Sequence, residues 1–314
     1  MPPSPDSPRS DPPARRLWPT QIRYQERIEY PERCFADPEL RAARVADRTP
    51  FDMPLPITGQ FTNVYRMIGA DGRAMAVRLF LRDDPHRTRH WQALTAHFRS
   101  LETLPPYLTV PDYQEDGFVI GEDRFPLVKL DWLPGISLNT YVEKRLYDSQ
   151  ALRRLAADWK SMMLDLENAR FVHGDLQHGN VLAEEETGKL RLIDYDASYV
   201  PALARTPNRE TGHPSYQHPR RSPSDYGPFA DRFSSLVILT AIRTLAVAPQ
   251  LWYRLDNGEN LLFQKEDFTD PNGSRAFALI AETMRNHPEE RHLATLLRNA
   301  CPGLPSDAPP PDRY

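Results

Sequence analysis

Cysteine is scarce in this chain of 314 residues: Cys34 and Cys301 are the two present, far apart, and they match no metal-ligand or redox spacing. They read as buried or surface thiols in a reducing cytosol. Charge of one sign is also lacking. With 39 basic and 43 acidic residues the net charge is −4, and nothing points to a nucleic-acid or membrane surface. No apolar run reaches membrane-spanning length; the longest, 236–251, is broken by Arg243 and Pro249 and reads as a core helix. The N-terminus opens on Pro, Ser and Asp instead of a basic and then apolar leader, so a cytoplasmic location is expected.

What the chain does have in quantity is proline, 32 residues, about twice average usage. Residues 1–16 hold six prolines among Ser, Asp and Arg, bury too little apolar surface to offset the entropy of ordering, and are expected to form a disordered tail. Aromatic residues return at 17–56 (Trp18, Tyr24, Tyr30, Phe35) and predict an ordered lead-in. Strand patterns follow at 61–81, around an Asp71-Gly72 turn, and at 118–138. Helical periodicity marks 86–101 (Trp91, Leu94, Thr95, Phe98, Leu101). It is clearest at 149–168, where Leu152, Leu155, Ala156, Trp159, Met162, Met163 and Leu166 make one apolar stripe. Helices are expected at 251–268 and 275–299, with a Pro-rich tail over 302–314.

The densest chemistry lies between Val172 and Asp196: Val-His-Gly-Asp-Leu-Gln-His-Gly-Asn-Val-Leu, a polar stretch with a Gly188 turn, then Leu-Arg-Leu-Ile-Asp-Tyr-Asp. Asp175 precedes Asn180 by five positions and Asp194 by nineteen, room for a strand, a turn and a strand. A hairpin of that kind brings Asp175, Asn180 and Asp194 to one end, and converging oxygen ligands suit Mg²⁺. A hairpin with a solvated polar turn is the plainer reading of each motif taken singly.

Together the two motifs resemble the catalytic and metal loops of the protein-kinase-like fold, His-x-Asp-x-x-x-x-Asn followed by Asp-Phe-Gly or a variant. The resemblance implies an α+β, two-lobed protein-kinase-like fold, with a β-rich N-lobe over 57–130 and a helical C-lobe with a catalytic hairpin over 131–301. It implies ATP and Mg²⁺ as cofactors. Asp175 would accept the proton of the acceptor hydroxyl, Asn180 and Asp194 would hold the cation, and His173 would brace the loop. Gly59, Phe61 and Val64 are similar to the second half of a glycine-rich phosphate loop, although Ile57 and Thr62 stand where the other glycines would be. In Ala76-Val77-Arg78 the arginine takes the place of a phosphate-binding lysine; a surface-strand arginine is the alternative. Leu130, Asp131 and Leu133 match a hinge that contacts adenine. Gly212-His-Pro-Ser-Tyr-Gln-His-Pro219 is similar to the close of an activation segment, and Asp231 would hold the catalytic loop from below or else cap its helix.

The closest likeness within the superfamily is to bacterial eukaryote-like protein kinases, those associated with PP2C-type phosphatase and von Willebrand factor A partners. Several positions depart from the pattern. Gly174 and Gln177 replace an arginine and a lysine, Asp196 and Arg220 replace a glycine and a glutamate, and no glutamate occurs between Leu79 and Leu101, where Gln92 or His97 would have to substitute. Three readings stay open: a protein serine/threonine kinase, a small-molecule kinase of the aminoglycoside or choline type, and a nucleotide-binding pseudokinase scaffold.

Overall fold

The computed structural model describes residues 17–59, 61–204, 206, 210–255, 257–258 and 260–314. The expected disordered tail at 1–16 lies outside the described residues. The chain divides into two compact units, one ending at Arg87 and taking in Asp112–Trp132, the other made of Thr88–Pro111 and Leu133–Tyr314. The architecture is mixed α+β, with the larger sheet in the first unit and most of the helix in the second.

The first unit opens on three short helices, α1 (Gln21–Ile28), α2 (Pro31–Cys34) and α3 (Pro38–Arg41). Prolines at the first turn of α2 and α3 preset φ where no N–H is needed, while the Thr20 and Asp37 side chains cap α1 and α3. Strands β1 (Arg44–Val45), β2 (Ile57–Thr58), β3 (Thr62–Ile68), β4 (Ala74–Phe80), β5 (Asp112–Ile120) and β6 (Asp123–Asp131) pair antiparallel in the order β1-β3-β4-β6-β5, with β2 also on β3. Gly72 closes the β3–β4 turn at φ +83°, a left-handed conformation that glycine reaches without a Cβ penalty. The aromatic lead-in is part of this core. Tyr24 and Phe35 meet Phe118 edge-on at 5.1 and 5.3 Å, and the Tyr24 hydroxyl donates to the Phe80 carbonyl at 2.8 Å. Each such buried ring contributes on the order of 2 kcal/mol. Tyr30 is the exception and stays exposed. Lys129 on β6 reaches Asp37 at 2.5 Å and Glu39 at 2.9 Å, tying α3 to the sheet.

The second unit contains α4 (Arg87–Ser100, from Thr88 onward), β7 (Ile136–Ser137), α5 (Leu138–Lys144), α6 (Ser149–Asn168), β8 (Val181–Ala183) and β9 (Leu190–Leu192). After these come α7 (Arg232–Val247), α8 (Trp252–Leu255), α9 (Lys265–Thr269), α10 (Arg275–Thr283) and α11 (Pro288–Ala300). The whole predicted stripe of α6 is buried, and Trp159 donates its ring N–H to the Ser235 carbonyl of α7 at 3.2 Å. α7 is apolar on nearly every side and correspondingly buried on nearly every side. No single helix among the described residues is long and apolar enough to cross a membrane.

Two helical expectations need revision. The segment 275–299 is two helices, because Pro288 supplies no N–H and disfavours helical backbone at His287. Among the described residues of 251–268 the α-helices are α8 and α9: Gly258 adopts φ +83°, and the Asn260 side chain bonds the backbone of Leu255 and Asn257, competing with helix hydrogen bonds. The stretch 302–314 is held against α6 and α7, through the Tyr314 hydroxyl on Ser235 Oγ at 2.8 Å and Lys160 on the Tyr314 main-chain oxygen.

Candidate active site

The hairpin forms as the spacing indicates. β8 and β9 pair in the register Val181↔Leu192, Leu182↔Arg191 and Ala183↔Leu190, closed by Gly188 at φ +73°. The Ile193 N–H donates to the Asn180 carbonyl at 3.1 Å and extends the ladder by one step. Asn180 just before β8 and Asp194 just after β9 therefore stand at the same open end. β7 adds a third strand on β8, and the Leu138 N–H at the start of α5 donates to the His178 carbonyl at 3.1 Å, fixing the loop from that side.

Asp175 and Asn180 are brought together. The Asn180 Nδ2 donates to the Asp175 carbonyl at 2.9 Å and to its Oδ2 at 3.0 Å, while the His213 N–H donates to Oδ1 at 2.7 Å. Both carboxylate oxygens are thus oriented by N–H donors. His173 and Asp231 form the layer beneath. Asp231 Oδ2 accepts the His173 N–H at 2.5 Å and Oδ1 the Gly174 N–H at 2.8 Å; its side chain caps no helix bond of α7. Burial pushes the Asp231 carboxyl up from its usual range, and His173, the two amides and Arg221 oppose that. The His173 ring accepts the Asp175 N–H at Nδ1 (3.3 Å) and faces the Ile193 carbonyl with Nε2 (2.8 Å). A carbonyl only accepts, so the proton sits on Nε2 and the tautomer is set.

Asp194 has φ +65°, one of three non-glycine residues among the described ones in the left-handed region. The conformation costs on the order of 1 kcal/mol, least for Asp and Asn, and is kept because the carbonyls of the neighbouring residues Ile193 and Tyr195 are anchored. The Ile193 carbonyl takes His173, and the Tyr195 carbonyl takes the Ser198 N–H at 3.1 Å and His90 Nε2 at 2.9 Å. The Tyr195 ring is buried edge-on against Phe98, Phe171 and His173, and its hydroxyl donates to the Leu192 carbonyl.

The departures from the family pattern acquire physical reasons. Gly174 lies at φ +82°, and a Cβ there would stand 2.1 Å from the Ala197 carbonyl oxygen, so no side chain fits, arginine included. Gln177 turns back to accept the Gly179 N–H at 2.8 Å. His178 meets the Tyr216 hydroxyl at 2.6 Å. Arg220 bonds the carbonyls of Pro302 and Gly303 just beyond α11, while buried His218 contacts the Ala300 carbonyl at 3.1 Å and accepts the Arg220 N–H. Of the two candidates for the missing glutamate on α4, His97 is engaged with the Ala169 carbonyl at 2.7 Å and Gln92 is exposed.

In the first unit, Arg78 is buried in β4 between Val64 of β3 and Val128 of β6, its register partners. Gly59 donates its N–H to the Thr62 carbonyl at 2.8 Å, and the Arg82 guanidinium lies over the Phe61 ring. Leu130 pairs with Ala76, and the Asp131 carboxylate binds Arg73 at 2.8 Å. Leu133 follows in the second unit and is half-buried.

Sequence reasoning missed His90 as a site residue. The available signal was its spacing: His90 and His97 lie seven apart on α4, flanking Leu94, on the face that carries Trp91 and Phe98.

No family model matches the chain. Among curated proteins it is similar to the serine/threonine-protein kinase C of Synechocystis sp. (strain ATCC 27184 / PCC 6803 / Kazusa), 24% identical over 277 residues that cover 79% of this chain and 51% of the relative. The chain spans about half the length of that relative. The likeness supports a bacterial protein-kinase-like relationship, and the mixed α+β architecture is compatible with it.

Proposed function

We propose that the chain is an ATP- and Mg²⁺-dependent protein serine/threonine kinase with Asp175 as catalytic base. The observation that carries the reading is the Asp175 carboxylate, held on both oxygens by Asn180 Nδ2 and the His213 N–H at the open end of the β8–β9 hairpin. A carboxylate so oriented presents its remaining lone pairs in a fixed direction, as a base for an alcohol proton must. Asn180 spends its amide nitrogen on Asp175, which leaves Oδ1 as the atom suited to a hard cation, and Asp194 adds carboxylate oxygens at the same end. This oxygen donor set fits Mg²⁺. When bound, the cation would neutralise charge on the nucleotide phosphates. Arg78 supplies the fixed positive charge that a lysine gives elsewhere, with Gly59, Phe61, Val64, Leu130, Asp131 and Leu133 as the nucleotide-binding residues. Asp231 and His173 keep the loop in shape without touching substrate.

The test is label transfer from γ-labelled ATP in the presence of Mg²⁺, wild type against Asp175→Ala. Label entering protein with wild type, and falling at least about a hundredfold in the variant, is the expected result. Nucleotide binding without transfer would replace this reading by a scaffold, and transfer only to added small alcohols would replace it by a metabolite kinase.

A further inference from the structure

We infer that His90, on helix α4, is a positioning residue for the metal loop, helping to keep Asp194 in its left-handed conformation by fixing the Tyr195 carbonyl, one peptide beyond it. The inference rests on the reading of Asp194 as a cation ligand. The carbonyls of the two residues on either side of Asp194 each face a histidine ring nitrogen: Ile193 O lies 2.8 Å from His173 Nε2, and Tyr195 O, one peptide beyond Asp194, lies 2.9 Å from His90 Nε2. Each nitrogen must carry the proton, since a carbonyl only accepts. His173 belongs to the catalytic loop, so it couples that loop to the metal loop. His90 belongs to a different element, and its bond couples α4 to the same residue.

The rest of α4 confirms that the helix is fixed where this bond needs it. His97 meets the Ala169 carbonyl at 2.7 Å, seven residues and two turns farther on. Between the two histidines Trp91, Leu94 and Phe98 are buried, and Phe98 packs on Phe171 and Tyr195 at 5.2 and 5.9 Å. The helix is thus docked at both ends by imidazole–carbonyl bonds, and the end nearer Asp194 acts on the loop itself. The Tyr195 carbonyl also accepts the Ser198 N–H, which closes the turn after Asp194. Losing His90 removes one of the two bonds on that oxygen, frees the Tyr195–Asp196 peptide, and so loosens the turn that keeps Asp194 at φ +65°.

The experiment compares wild type, His90→Phe, His90→Gln and His97→Phe. Phenylalanine keeps an aromatic ring without a donor, and glutamine keeps an N–H. In the metal-free protein, hydrogen exchange at the Ile193 and Ser198 amides should quicken about five- to tenfold in His90→Phe, the size expected for one hydrogen bond, and stay within about twofold of wild type in His90→Gln and His97→Phe. With a non-hydrolysable ATP analogue, the Mg²⁺ concentration for half-maximal nucleotide binding should rise about fivefold or more in His90→Phe alone. Wild-type exchange at both amides in His90→Phe overturns the inference, whatever the nucleotide does. So does failure of His90→Phe to fold while His90→Gln folds, because the bond then serves the fold as a whole. Absence of Mg²⁺-dependent nucleotide binding in wild type instead overturns the proposed function, and the exchange result by itself then decides whether His90 holds the loop.

Discussion

Replacing Gly174 by alanine tests how tightly the loop that carries Asp175 is built. The residue sits at φ +82°, and an added Cβ would stand 2.1 Å from the Ala197 carbonyl oxygen and 2.8 Å from its carbon. Ordinary van der Waals contact starts near 3.4 Å, so the two backbones must separate by more than 1 Å. Neither can give cheaply. Gly174 N–H is bound to Asp231, Val172 and Tyr199 exchange backbone hydrogen bonds at 2.8 and 3.0 Å, and Ser198 Oγ donates to the His173 carbonyl. The left-handed conformation costs a non-glycine residue about 1–2 kcal/mol, and forced separation of packed backbone about 1–3 more. A loss of about 2–5 kcal/mol is expected, a large part of the 5–15 kcal/mol that stabilises a typical domain. Urea unfolding of Gly174→Ala should show a lower midpoint at an unchanged slope, and label transfer should fall about a hundredfold as Asp175 shifts with the loop. Gly174→Arg, with a larger side chain against the same Ala197 carbonyl, should be at least as damaged. An unfolding midpoint and activity equal to wild type in Gly174→Ala would refute the steric reasoning.

Asp231→Asn turns one oxygen into an NH₂ facing a backbone N–H, leaves a buried donor unsatisfied, and should cost about 2–4 kcal/mol in chemical denaturation, with label transfer reduced in the same preparation. Lys129→Met strands the largely buried Asp37 carboxylate and should cost about 2 kcal/mol, most of it recovered in the double variant Lys129→Met/Asp37→Asn, as a double-mutant cycle will read. Burial pushes the Asp37 carboxyl up, but Lys129, Gln114 and the Glu39 N–H outweigh it and the group titrates below its usual range. Its stabilisation is therefore present above about pH 4 and lost as pH falls further, and Lys129→Met should flatten that acid limb. His218 is held below the usual histidine range by burial, opposed by its bond to the Ala300 carbonyl. The unfolded chain takes up that proton first, so stability should decline as pH drops below about 6.5, by at most about 1.4 kcal/mol per pH unit, and His218→Gln should remove this slope from urea titrations at pH 7.5 and 5.5.

Wherever one residue's chemistry or one element's period settles the matter, the sequence alone determined the outcome. The stripe from Leu152 to Leu166 makes a helix with one dry face because 3.6 residues complete a turn. The Gly188 turn between two short apolar runs makes a hairpin, and the five-residue step from Asp175 to Asn180 sets both at its open end. Pro288 is equally visible as a breaker, and it splits the apolar pattern of 275–299 into two helices. Tertiary structure alone decided what depends on partners far away in the chain. Asp231 could cap its own helix or reach back to His173 and Gly174, and only packing of α7 beneath the loop selects the second. Gly174 reads as a lost arginine until Ala197 is placed against it. His90 is one polar residue in a helical pattern until Tyr195, 105 positions on, brings a carbonyl to it. Local pattern fixes which way a side chain points from its own element; what it meets there is set by how the elements pack.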